Sequence, residues 1–284
     1  MSRSVIVFDI DGLSIRSAGC YGNVEVSTPM LNEFAAQSRV FEQHFRSFVE
    51  PEKERESAIS SLMLSQEAGL FLSNVPAGQG AFPAEHFEGL DQLVDLLEEK
   101  FDTESMLAWV RIKPGEDNLD AALPLGLVTK LVEAQVDVVV TSSNPVCADE
   151  NRIENGEAIR VPLLVWSGEA DRVQAVTSSG QLDQLLQFEE VPQDAAALIF
   201  GDSAIALREK DFLLLVQSEL SSELADVADD DLAAAIDVTD NRIRMFRKPD
   251  DVWNMHNVLV EDIDHGIGML QRLREKLCGV PAPE

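Results

Sequence analysis

Two carboxylates close the first apolar run of the chain. In "VIVFDIDG", Asp9 and Asp11 follow four apolar residues and are followed by Gly12. Residues two apart on a strand face the same side. A carboxylate pair delivered in this way can attack or protonate an ester, or hold a divalent cation against phosphate or sulfate oxygens. The same pair also suits a local role, bonding the backbone turn at Gly12. A second apolar run, "VDVVVT", ends in Ser143, Asn144 and Pro145, where Asn144 offers an amide oxygen. Arg55 lies in "VEPEKER" among Glu52, Glu54 and Glu56, a setting that also suits an ordinary salt bridge.

The elements around these residues indicate a layered α/β protein. "SVIVFDID", 105–112, 136–143 and 161–167 carry continuous rather than alternating apolar residues, as in strands buried on both faces. Helical spacing is read over 28–41, 56–64, 89–101, 121–135, 181–188 and 261–277, with Thr28 and Pro29 as cap and first turn of the first. Residues 73–84 are rich in Gly and Pro and read as a loop. Further strands are expected at 197–201, 211–217 and 242–249, and 218–240 is acidic and Ala-rich. The expected fold is a mostly parallel central sheet flanked by helices, with a core over 1–195 and a smaller C-terminal α+β subdomain over 196–284.

Composition narrows the functional classes. Lys and Arg number 22 against 51 Asp and Glu, a net charge of −29. Such a surface repels nucleic acid and anionic lipid, so neither is an expected partner. No apolar run reaches the roughly 20 residues needed to cross a bilayer. "MSRS" leads straight into the first strand, which points to the cytoplasm. Cys20, Cys147 and Cys278 are odd in number and far apart, as reduced thiols are.

Two families share the opening pattern. "FDIDG" resembles the first motif of haloacid-dehalogenase-like phosphatases, which would make Asp9 the nucleophile, Asp11 the general acid and Mg²⁺ the cofactor. "VVVTSS" and "IFGDS", with Asp202, resemble later motifs of that family. The chain departs from it in having no lysine between Lys130 and Lys210 and in carrying Leu13 where Thr is expected.

The resemblance to the sulfatase family of the alkaline-phosphatase-like superfamily runs further. "DGLSIRSAGCYGN" is similar to its opening "D-x-L-R-x-D-x-x-G-C-Y-G-N". "VSTPMLNEFAAQSRVFEQHF", "VDVVVTSSNP", "IRVPLLVWSGE" and "RMFRKPDDVWNMHNV" resemble later segments in the same order. The resemblance implies a Ca²⁺ or Mg²⁺ site, with Asp11 and Asn144 as its remnant and Asp9 as a further candidate. It also implies a Cys or Ser matured to formylglycine. Counting ten residues on from Phe41, or four back from Arg55, that nucleophile position is Pro51. Lys53 holds the motif's proline position, and only Arg55 of the motif remains. His44, His86, His256 and His265 lie outside the family's catalytic positions.

The residues thus predict a sulfatase-like protein without a catalytic nucleophile, expected to bind no cofactor and to act as a binding or regulatory pseudoenzyme toward an unidentified protein or small molecule. The alternatives are the Mg²⁺-dependent phosphatase using Asp9 and Asp11, and a sulfuric ester hydrolase with a displaced nucleophile such as Ser57 or Ser60.

Overall fold

The computed structural model describes residues 4–64, 69–75, 106–113, 125–145, 153, 159–168, 170–187, 195–225, 227, 241–248 and 254–279. The helix expected over 89–101, Cys147 and His86 lie outside these residues.

Seven strands form the first sheet: β1 (Val5–Ile10), β2 (Ser38–Phe45), β3 (Gly69–Val75), β4 (Met106–Ile112), β5 (Asp137–Thr141), β6 (Leu163–Trp166) and β7 (Asp171–Ser178). Their order is β3-β4-β1-β5-β6-β2-β7. Only β6 runs against both its neighbours; the other pairings are parallel. All six residues of β1 are buried, because helices cover both faces of the sheet. Ile6, Phe8 and Ile10 pack with Leu31 and Phe34 of α1 (Pro29–Ala35) and with Val128 and Leu131 of α3 (Leu125–Glu133). Val5 and Val7 pack on the opposite side with Ala58 and Leu62 of α2 (Pro51–Leu64) and Leu182 and Leu185 of α4 (Leu182–Leu186). Continuous apolar sequence therefore encodes a two-faced interior strand.

The second sheet is antiparallel throughout, in the order β11-β10-β9-β8, with β8 (Ala197–Phe200), β9 (Ala204–Arg208), β10 (Phe212–Gln217) and β11 (Ile243–Arg247). It is backed by α5 (Ser218–Ala225) and α6 (Ile263–Gly279). The sheets meet where Phe200 N–H donates to the Ser47 carbonyl at 2.7 Å and Val49 N–H to the Phe200 carbonyl at 2.9 Å. The rings of Phe48 and Phe200 stack there, 5.1 Å between centroids.

Two expectations are corrected. The helix read over 28–41 ends at Ala35, and Ser38–Phe45 is strand β2, paired with both β6 and β7. Val40 and Phe41 fell at helical spacing from Leu31 and Phe34, but sheet pairing overrides that local period. The loop read over 73–84 begins inside β3, which continues to Val75 alongside β4. The "GCYGN" segment has a structural use. Tyr21 Oη accepts from the Leu163 amide at 2.8 Å and lies 3.1 Å from its carbonyl, tying the segment to β6. Cys20 is buried beside it, and burial pushes its thiol up to about 11.

Candidate functional site

The site residues gather where β1, β4 and β5 end. The chain leaves β1 through Asp11 and Gly12. Asp11 N–H donates to the Ile112 carbonyl at the end of β4, and Gly12 N–H to the Asn144 carbonyl after β5, both at 2.8 Å. Gly12 has φ of +83°, a left-handed conformation that disfavours a side chain. Asp9, Asp11 and Asn144 thus share one strand-end neighbourhood, with Pro145 bridged to Gly12.

Asp9 is fully buried and does not bond the Gly12 turn. Its Oδ1 accepts from the Ser143 amide at 2.7 Å. Its Oδ2 accepts from Ser143 Oγ at 2.6 Å and from Trp109 Nε1 at 3.1 Å. Burial raises its pKa, the Ser143 and Trp109 bonds pull it back, and nearby Asp11 adds to the rise. Asp11 also makes no local turn bond with its carboxylate. Arg111 Nε donates to Asp11 Oδ1 at 2.8 Å, with the two side chains only 15% and 14% exposed. The register pairs Arg111 with Asp9 across β4 and β1, which puts the guanidinium beside both acids. Asp11 holds Arg111 above even its ordinary high pKa, and Asp9 and Glu52 act in the same direction.

Helix α2 closes the other side. Pro51 is its first residue, where a fixed φ and a missing N–H suit the first turn. Its successive residues face different surroundings. Glu52 adds to the negative field at Arg111. Glu54 is buried, and its Oε2 accepts from the amides of Ser47 and Phe48 at 2.8 and 3.0 Å. Ser179 Oγ donates to its other oxygen. Arg46, fully buried, donates to the Ser143 carbonyl at 2.9 Å, and its charge favours ionised Glu54. Hydrogen bonds therefore link Asp9 through Ser143 to Arg46, whose charge acts in turn on Glu54. His44 joins the Glu54 end through Ser179 Oγ, 3.4 Å from its Nε2, while its Nδ1 bonds Thr177 Oγ1 at 2.9 Å; burial pushes it down to about 3, so it stays neutral. Arg55 is half-buried on α2; Asp11 pairs with Arg111 rather than with it. Sequence reasoning missed Arg111, Trp109, Arg46 and the inward role of Glu54. The available signal was an arginine at the C-terminal end of an otherwise apolar strand.

On the outer face of α2, Lys53, Glu56, Ser57 and Ser60 line a cavity of about 720 Å³ with Phe48, Phe200 and Lys276. Lys53 pairs with Glu50 at 2.9 Å, and that carboxylate holds it above the usual lysine range. It is thus a cation at neutral pH and cannot serve as the base that would activate Ser57. Asp202, the acid of "IFGDS", lies beside Glu50 and Lys53, and Thr141 Oγ1 donates to the Pro162 carbonyl at 2.9 Å.

The donor set does not fit a hard divalent cation. Ca²⁺ takes six to eight oxygens. Both Asp9 oxygens already accept hydrogen bonds, and Asp11 faces a guanidinium. Among the described residues no group of three or more His, Cys, Asp or Glu side chains could hold an ion.

No protein-family model and no curated protein sequence matches the chain. Solved structures do. A protein of the alkaline phosphatase superfamily from Vibrio parahaemolyticus superposes with a TM-score of 0.64 at 8% identity, covering 96% of this chain and 87% of that one. A 2-O GAG sulfatase gives 0.58 at 9% identity, covering 100% and 95%. A structure described with glycosaminoglycan metabolism by Bacteroides thetaiotaomicron gives 0.62 at 11% identity, covering 97% and 99%. The chain has the mixed α/β fold that these proteins share.

Proposed function

We propose that this sulfatase-fold protein is a pseudoenzyme that acts by binding a protein or small molecule instead of hydrolysing sulfate esters. The observation that carries the reading is Pro51, the opening residue of α2 at the position the resemblance assigns to the nucleophile. Proline has no side-chain atom with a lone pair to attack sulfur, and it cannot be matured to formylglycine. The hydrogen-bonded state of Asp9 and the pairing of Asp11 with Arg111 support the same conclusion, since neither acid is free to hold a metal. The complete burial of Asp9 argues against its use as the nucleophile of a phosphatase. The cavity outside α2 is where a small ligand would fit, between the Phe48 and Phe200 rings and the lysines Lys53 and Lys276. The net charge of −29 disfavours nucleic acid and anionic membrane as partners.

The test is turnover. Wild-type protein, and Pro51→Cys co-expressed with the maturing enzyme, should leave an aryl sulfate at its background rate, because nucleophile, metal and acid act as a unit. Aryl sulfate turnover lost in Ser57→Ala or Ser60→Ala would replace this reading with the displaced-nucleophile hydrolase. Aryl phosphate turnover with Mg²⁺, abolished by Asp9→Asn, would replace it with the phosphatase.

A further inference from the structure

The end of β1 gathers negative charge that something positive must balance. Asp9, Asp11 and Glu52 all act on the Arg111 guanidinium, and Asp11 pairs with it directly. The backbone that carries Asp11 is fixed, because its own amide is bonded to Ile112 and the next amide to Asn144. The guanidinium arrives from β4, whose parallel register with β1 pairs Asp9 with Arg111 and Ile10 with Ile112. Nε of Arg111 points at Asp11 Oδ1 at 2.8 Å, from a side chain that is mostly shielded from water. Ser143 donates two hydrogen bonds to Asp9, through its amide and its hydroxyl. One acid of the pair, Asp9, is thus satisfied by hydrogen-bond donors, and the other, Asp11, has a cation supplied by the chain.

We propose that Arg111 is the built-in cation of this strand end. Its guanidinium holds Asp11 in the place where the resemblance implies a divalent metal, so the site is complete without a metal and closed to one. Arg111 is a positioning residue, since it acts through Asp11. The inference shares with the proposed function the identification of Asp11 as the remnant ligand, but it does not require the protein to be inactive. Activity without metal dependence would overturn only the proposed function.

The experiment is calorimetric and thermal titration of the full chain with Ca²⁺ and with Mg²⁺, against a chelator control. Wild type should bind neither ion at micromolar concentration, and its Tm should not move. Arg111→Ala should melt lower than wild type, because Asp9, Asp11 and Glu52 then lack their cation. Millimolar Ca²⁺ should raise the variant's Tm by roughly 2–4 °C, as expected in a chain of this size for an ion present several-fold above its dissociation constant. The double variant Arg111→Ala with Asp11→Ala should lose that gain. If Arg111→Ala fails to fold, Arg111→Lys retains the charge and should remain indifferent to both ions. Stoichiometric micromolar binding by wild type, lost in Asp11→Ala, would overturn the proposal. So would an Arg111→Ala protein that folds but melts unchanged by Ca²⁺, or an Arg111→Lys protein stabilised by it.

Discussion

At the ends of β1 and β5 the protein buries charge. Asp9, Arg46 and Glu54 are almost wholly hidden from water and linked through Ser143, and the Asp11–Arg111 pair lies just beneath the surface. Between the antiparallel sheet and α6 it buries almost none. That core is built from Leu207, Leu214, Val216, Met245, Leu259, Met269 and Leu273, and its nearest charge pair, Arg272 with Glu209 at 2.5 Å, stays at the rim with Arg272 43% exposed. The first region has the anatomy of a reactive site, with its acids internally neutralised. The second has the anatomy of a packed layer. Apolar packing tolerates local repair, whereas a buried charge is stable only while each partner is present. The contrast teaches that the polar groups of the strand-end cluster hold one another in place, as a brace does.

The largest expected effect comes from breaking that brace. Glu54→Ala leaves the Arg46 charge without its acid and the Ser47 and Phe48 amides without their acceptor. Removing one member of a buried charge network costs about 3–5 kcal/mol, read by chemical denaturation. A loss below about 1 kcal/mol, the size of an exposed ion pair, would show that water reaches the cluster and that the comparison is wrong.

The packed layer is tested by adding a methyl group. Gly266, on α6, lies against the buried side chain of Leu259, and a Cβ there would collide with the Leu259 Cδ1 and approach Met245 Sδ to 3.9 Å. Overpacking of this kind costs about 1–3 kcal/mol. The better helix propensity of Ala offsets up to about 1 kcal/mol of that. Gly266→Ala should therefore be mildly destabilising. A stabilised variant would mean that this core has room, and that the two regions differ less than their contacts indicate.

Much of the first region could be read directly and much could not, for a physical reason. β1, β4, β5 and β6 announce themselves because strands buried on both faces carry continuous rather than alternating apolar residues. β7 hides, since its first half is exposed and only Ala175–Ser178 are buried. β2 hides because its Val and Phe continue the spacing of α1. Asp9, Asp11 and Asn144 stand out by type and position. Arg111 does not, because its role depends on the pairing of β4 with β1, about a hundred residues apart in the chain. Glu54 read as one of several surface acids around Arg55; its inward direction is set by the Ser47 and Phe48 amides, which belong to the turn before the helix.

The smallest expected effect is a slope with pH, and it separates the two regions most cleanly. Burial raises the pKa of Asp9 above 3.8 and that of Glu54 above 4.5, so the folded protein holds their protons more tightly than the unfolded chain. Their contribution to stability is therefore full below those ordinary values and is lost as pH rises through the folded-state values. Each group adds at most about 1.4 kcal/mol per pH unit within its window. The raw stability of the chain cannot isolate this, because its net charge of −29 changes over the same range and alters self-repulsion throughout. The difference between wild type and a neutral variant can. Asp9→Asn carries a constant penalty, since its Nδ2 must face the Trp109 N–H donor or the Ser143 amide. On top of that constant, the gap from wild type should narrow as pH rises from about 4 towards 7, as wild type loses the proton-linked term that Asn lacks. Glu54→Gln should show the same narrowing. Gly266→Ala, which changes no charge, should run parallel to wild type at every pH. A Gly266→Ala gap that narrows as much as the Asp9→Asn gap would place the pH response outside the strand-end cluster, and the distinction between a charged brace and a packed layer would lose its thermodynamic meaning.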